Sequence, residues 1–114
     1  MIYTFMYKVY LISIGDENKQ YKIGYTRRQV EQRVKEFKTG NSNDFSIIDV
    51  FESKWGTKIE AYFHRKYKSK KINGEWFFLD EEEVKNFKED CKKQHDILEL
   101  ITTTNTWYLE KNNF

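Results

Sequence analysis

The chain has 114 residues, of which 39% are hydrophobic and 18% aromatic, with no proline. That is enough for one modest core and too little for two, so residues 1–100 are expected to form a single domain and 101–114 a C-terminal extension. No apolar run approaches the roughly 18 residues that cross a bilayer, and the first residues lack the basic start and apolar stretch of a signal peptide; no membrane partner is expected, and an intracellular setting is, in the cytoplasm of a host or infected cell.

The net charge of +2 conceals a division along the chain. Residues 1–73 carry 15 Lys+Arg against 8 Asp+Glu, a balance of +7, and residues 74–114 carry 5 against 10, a balance of −5. A basic first two thirds favours a polyanionic partner such as DNA, although a lopsided solvated surface accounts for the charge equally well.

Tyr7 to Ile14, rich in β-branched and aromatic residues, is expected to be a first strand, and Gln20 to Tyr25 a second that pairs with it across the polar turn at Gly15 to Lys19. Thr26 stands where an N-cap belongs, and Val30, Val34 and Phe37 recur at helical spacing before Gly40, predicting a helix over about 27–38. Arg33 borders that apolar stripe. Phe45 to Phe51 reads as a third strand, antiparallel to the hairpin. Gly56-Thr57 opens a second helix in which Ile59 and Phe63 form the buried row and Glu60 and His64, four residues apart, share a face.

The lysine-rich run Lys66 to Lys71 leads through the Asn73-Gly74 turn signal to an extended aromatic segment, Glu75 to Leu79. Asp80 caps a further helix, acidic in its first turn and basic later, in keeping with the helix dipole, with Val84, Phe87 and Cys91 on its buried side. The lone Cys91 cannot form an internal disulfide and is expected to pack that helix. Ile101 to Leu109 is β-prone, predicting a terminal strand and offering an edge for a homodimer contact. His95 has no evident partner.

Several side chains suit phosphodiester chemistry: a carboxylate to hold a divalent cation (Glu60), a guanidinium to neutralise a phosphate (Arg33), and hydroxyl, amine and imidazole groups to handle water (Tyr10, Lys22, His64). A hard cation such as Mg2+ or Mn2+ keeps several waters and needs one or two protein carboxylates, so a single Glu suffices. With two histidines and one cysteine, zinc is disfavoured. Taken singly, each of these residues has a bland explanation: Glu60 and His64 as a helix surface pair, Tyr10 as core, Arg33 as a snorkelling side chain, Glu75 as a solvent-facing edge residue.

Order and spacing add a resemblance. Val9-Tyr10-Leu11-Ile12, Tyr21-Lys22-Ile23-Gly24, Arg33 in Gln32-Arg33-Val34, Glu60, His64 and Gly74-Glu75-Trp76-Phe77 follow one another as the motifs of the GIY-YIG nuclease superfamily do, and the chain from about Val9 to Leu79 resembles its phage and viral branch, described as a phage-type DNA-binding domain. The resemblance implies an α+β fold with a small antiparallel sheet of about three strands flanked by helices, and metal-dependent cutting of DNA. It implies that Tyr10 activates or positions water, Arg33 stabilises the phosphate and Glu60 binds one divalent ion. Lys22 stands where cutting members usually have tyrosine and Tyr21 is shifted by one onto the opposite strand face, so the catalytic place of that tyrosine is expected to fall to Lys22 or Tyr21. His64, Asn73 and Glu75 are expected in support, and Arg27, Arg28, Lys35, Arg65, Lys68, Lys70 and Lys71 on the DNA. Three functions follow as expectations: a GIY-YIG-type endonuclease, a catalytically silent DNA-binding module of the same fold, and a protein-binding domain using the basic face.

Overall fold

The computed structural model describes residues 6–15, 17–36 and 45–104. Strands β1 (Tyr7–Ile14), β2 (Gln20–Thr26), β3 (Phe45–Ser53), β4 (Lys71–Asn73) and β5 (Trp76–Phe77) form one sheet in the order β3-β1-β2-β5-β4. Every pairing is antiparallel. The helices are α1 (Val30–Lys35), α2 (Gly56–Lys66), α3 (Glu81–Lys85) and α4 (Phe87–Thr104). The fold is α+β as expected, but the sheet has five strands rather than about three. The extra pair comes from the Asn73-Gly74 turn: Gly74 takes φ +54°, which favours glycine, and folds Lys71–Asn73 back on Trp76–Phe77.

The central strand β1 divides the core by alternation. Val9 and Leu11 join Ile23, Ile59, Phe63, Tyr67, Phe77, Phe87 and Cys91 on the α2 face of the sheet. Tyr10 and Ile12 join Val30 and Val34 of α1 on the other face. Helix α2 approaches β1 so closely that a Cβ at Gly56 would overlap the Tyr7 side chain, so glycine is required where that helix begins.

Three expectations at element ends are corrected. Thr26 does not cap α1: it closes β2, and its Oγ1 accepts the Arg28 backbone N–H at 3.1 Å, a local turn that delays the helix to Val30. Phe37 and Gly40 lie outside the described residues. The helix after Asp80 is two helices, α3 and α4, parted at Asn86; the Asp80 cap itself stands, as a capping box with Glu83. Ile101–Thr104 continue α4 instead of opening a strand, because extending a formed helix outweighs the weak β preference of the Thr run. Residues 105–109, the rest of the expected strand and dimer contact, lie outside the described residues.

Cys91 is fully buried, as expected of a packing residue. His95 does have a partner: its Nδ1 lies 2.7 Å from the buried Ser53 hydroxyl, and its ring meets Phe51 edge-on, so it docks α4 against the end of β3. Among the described residues no helix is long and apolar enough to cross a membrane.

Candidate functional site

The site grows from a gap in the sheet. Strand β5 pairs with β2 only at Tyr21 and Lys22, since the chain turns away at Gly74; the edge of β2 from Ile23 onward is left for α2. His64 fills part of that edge. Its Nε2 donates to the Ile23 carbonyl at 2.9 Å, which fixes the proton on that nitrogen, and its ring stands edge-on to Phe77 with centroids 5.0 Å apart. Glu60, one helical turn earlier, reaches the same opening.

There a cavity of about 240 Å³ is lined by Tyr10, Gly24, Tyr25, Arg33, Glu60 and Glu75. Three candidates from three separate elements (Tyr10 of β1, Arg33 of α1 and Glu60 of α2) therefore share one concave surface. Tyr10 faces Gly24 across the β1–β2 ladder. A Cβ at position 24 would overlap the Tyr10 hydroxyl and its ring carbon Cζ, so the glycine is the space into which the phenol fits.

Charge in the cleft is distributed unevenly. Burial holds the Tyr10 phenol above its ordinary pKa, outweighing the opposing pull of Arg33, which hydrogen-bonds it. Tyr10 is thus a neutral hydrogen-bonding group at neutral pH. Arg33 is shared between Tyr10 and Glu36, whose Oε1 it meets at 2.5 Å; Glu36 also takes two hydrogen bonds from Arg28, at 3.0 and 2.8 Å. Burial, followed by the influence of His64 downward and Glu75 upward, leaves the Glu60 carboxyl with a raised pKa. The His64 Nε2 is 3.9 Å from its Oε2. Glu60 is therefore a carboxylate that gains from a nearby cation. Among the described residues no group of three or more His, Cys, Asp or Glu could cage a metal. A hard ion that retains its waters on one carboxylate fits this donor set; a fully protein-ligated ion does not.

Lys22 is ion-paired with Glu75 and lies 5.9 Å from the centre of the Trp76 ring. It does not itself line the cleft; Glu75 does. Tyr21 points the other way, packed against the α2-side core. Asn73 is exposed on β4 and also outside the lining.

The basic candidates are scattered. Arg27 and Arg28 follow the cleft residue Tyr25 after Thr26 and are exposed. Lys35 lies in a groove with Phe45 and Ile47, and Arg65 in a roomier one, about 360 Å³, between α2 and α4. Lys68 and Lys71 are exposed. Lys70 holds Glu83 with both oxygens at 2.6 Å and so ties the turn after α2 to α3. As site residues, Tyr25 and Glu36 are absent from the sequence reading, and Gly24 enters it only as the last residue of the second motif. Gly24 carried a signal, a glycine within a strand opposite a large aromatic; Tyr25 and Glu36 carried none.

Comparison with curated proteins and with solved structures gives no match. The T5orf172 domain family model matches residues 7–92, which include β1 to β5, α1 to α3 and the residues that line the cleft. The chain belongs to the T5orf172 domain family, a phage-associated family.

Proposed function

We propose that the protein is a divalent-metal-dependent endonuclease of the GIY-YIG type, hydrolysing phosphodiester bonds in DNA at the cleft between β2, α1 and α2. The observation that carries this reading is the shared lining of one cleft by Tyr10, Arg33 and Glu60. The family supports it more coarsely, since T5orf172 domains in phage proteins are often nuclease-like or DNA-binding.

Each residue has a task that its surroundings suit. Arg33, charged at any working pH, faces the phosphate and neutralises charge developing on its oxygens. Tyr10, kept protonated by burial, accepts from Arg33 and orients the attacking water by hydrogen bonding. Glu60 holds Mg2+ or Mn2+, which would supply Lewis acidity and a lowered pKa for a bound water. His64 fixes the β2 edge and, through it, the floor at Gly24. Tyr25, half exposed at the rim, offers an aromatic face to a base or sugar. Arg27, Arg28, Arg65, Lys68 and Lys71 contact the backbone beyond the cleft.

Incubation with supercoiled plasmid and Mg2+ or Mn2+ tests this. Nicking that is lost in Arg33→Ala and Glu60→Gln supports the reading; undiminished nicking in both overturns the site. A second reading, a DNA-binding module that does not cut, is favoured by one observation: Lys22, in the place of the usual tyrosine, is held by Glu75 and withdrawn from the cleft. Salt-sensitive DNA binding without nicking would select it.

A further inference from the structure

The Lys22–Glu75 pair joins two groups with very different surroundings. The Lys22 side chain is 10% exposed and that of Glu75 is 47% exposed. In the sheet, Lys22 stands between Ile12 of β1 and Trp76 of β5, and its charge is also felt by Glu60 in the cleft. A charge so placed needs an anion beside it, because an uncompensated buried ion costs far more than an ion pair gains. Glu75 is that anion, and it is also part of the wall of the cleft, standing on the cleft side of the lysine.

The mounting of Glu75 is slight. It sits at the tip of the β4–β5 hairpin, next to Gly74 with its φ of +54°, and β5 holds the sheet through two residues only. Nothing lies within 4 Å of where a Cβ at Gly74 would stand, so the tip is open to solvent on that side, while Trp76 and Phe77 just beyond it are packed on the core. Lys22, by contrast, is fixed within a seven-residue strand. Of the two partners, the carboxylate is the one that can swing away.

We propose that Glu75 is a displaceable internal anion: it occupies the Lys22 ammonium in the free protein and yields it to a phosphodiester oxygen when a nucleic-acid backbone enters the cleft. The proposal rests on the reading of this cleft as a phosphodiester site. It makes Glu75 a residue that sets the cleft's selectivity for anions, since a ligand must compete with a tethered carboxylate to reach Lys22. Weak or small anions lose that competition; a phosphodiester held at the same time by Arg33 does not. It also explains why a cleft intended for phosphate should present two carboxylates, Glu60 and Glu75, to an incoming polyanion.

The test is anisotropy of a fluorescein-labelled DNA duplex, without divalent cation, over a range of salt concentrations, with wild type, Glu75→Gln, Lys22→Met and the double variant. Glu75→Gln leaves the Lys22 ammonium without its counter-charge, so circular dichroism first checks that each variant is folded, and the double variant, which keeps neither charge, completes the comparison. Removing its charge is expected to tighten DNA binding about fivefold to tenfold while leaving the log affinity against log salt slope close to that of wild type, because Lys22 reaches a phosphate in both complexes. In the Lys22→Met background the same change is expected to tighten binding clearly less, and a gain as large as with Lys22 present overturns the exchange. Equal or weaker binding by Glu75→Gln overturns the exchange. A second arm titrates dimethyl phosphate into 15N-labelled wild type and Glu75→Gln and follows the Ile23, Gly24 and Tyr25 amides. If wild type binds DNA and Glu75→Gln binds no tighter, the exchange fails and the DNA reading stands. If neither binds DNA but dimethyl phosphate moves these amides at lower concentration in Glu75→Gln, the DNA reading fails and the exchange stands. If neither ligand binds either protein, both fall.

Discussion

Tyr10 and Gly24 are cross-strand partners in which the glycine is the receptacle for the phenol. Tyr10 is 1% exposed, and its hydroxyl emerges only where residue 24 has no side chain. Placement of the Tyr10 hydroxyl in the cleft and core packing therefore rest on the same missing methyl group.

Gly24→Ala tests that relationship. The new Cβ meets the ring of a fully packed tyrosine, and overpacking of this kind costs about 1–3 kcal/mol. The expected outcome is a lower urea midpoint together with a displaced Tyr10 hydroxyl and impaired nicking. Introduced into Tyr10→Leu, the same change should cost clearly less, since the overlapping atoms are gone. Equal cost in both backgrounds would remove the coupling.

His64 is expected to act through structure. Its Nε2–H satisfies the Ile23 carbonyl at the unpaired end of the β2 edge, and its ring packs on Phe77. His64→Ala leaves a carbonyl without its donor and a gap beside an aromatic ring, a loss of about 1–3 kcal/mol. Chemical denaturation should show this with or without divalent metal. Hydrogen exchange should quicken at the amides around Ile23 and Gly24. Unchanged stability with lost nicking would instead make His64 a chemical participant.

Much of this arrangement could be read from the sequence, and the physical reasons divide cleanly. Alternation in Tyr7–Ile14 and the 3.6-residue spacing of Ile59 and Phe63 place β1 and the buried side of α2 correctly, because burial of an apolar face dominates both. Tyr10, Arg33 and Glu60 could be nominated from the order of motifs. What could not be read is long-range pairing. Ser53 finds His95 across 42 residues, and Glu75 finds Lys22 across 53, and neither separation has a local pattern. The start of α1 was misplaced because the Thr26 hydroxyl serves a turn as readily as a cap. Of the basic residues expected on the DNA near the end of α2, Lys70 is held by Glu83, and the neighbouring Lys66 is held by Asp90 at 3.0 Å.

Glu60 predicts a conflict between stability and function. Burial raises its pKa in the folded protein, so the folded state binds this proton more tightly than the unfolded chain does. The favourable contribution is present when Glu60 is protonated, below its unfolded pKa, and is lost as pH rises through the raised folded value. At neutral pH the ionised carboxylate is therefore a net cost, and Glu60→Gln should be more stable than wild type by on the order of 0.5 kcal/mol while losing activity. Thermal melts from pH 4 to pH 8 in EDTA should show the variant's advantage shrinking as pH falls. An advantage that grows toward acid would contradict the sign. Added Mg2+ should raise the wild-type melting temperature more than that of Glu60→Gln.

Cys91 provides a probe of global opening. It is fully buried between α4 and the α2-side core, and burial, with the nearby Asp49 and Asp90, pushes its thiol pKa far above the ordinary value. The thiolate is the reactive species, so the native protein should hardly react with a disulfide reagent such as DTNB at pH 8. Its surroundings, Phe63 and Phe87 stacked 5.0 Å apart in the same cluster, belong to the centre of the fold and not to a fraying end. Labelling should therefore follow complete unfolding: the urea dependence of the labelling rate should give the same free energy as circular dichroism when reclosing outpaces reaction. A labelling rate independent of urea at low concentration would show that α4 lifts from the sheet while the rest of the domain stays folded. That outcome would separate the stability of α4 from that of the cleft, whose residues all lie on β1, β2, α1, α2 and the β4–β5 turn.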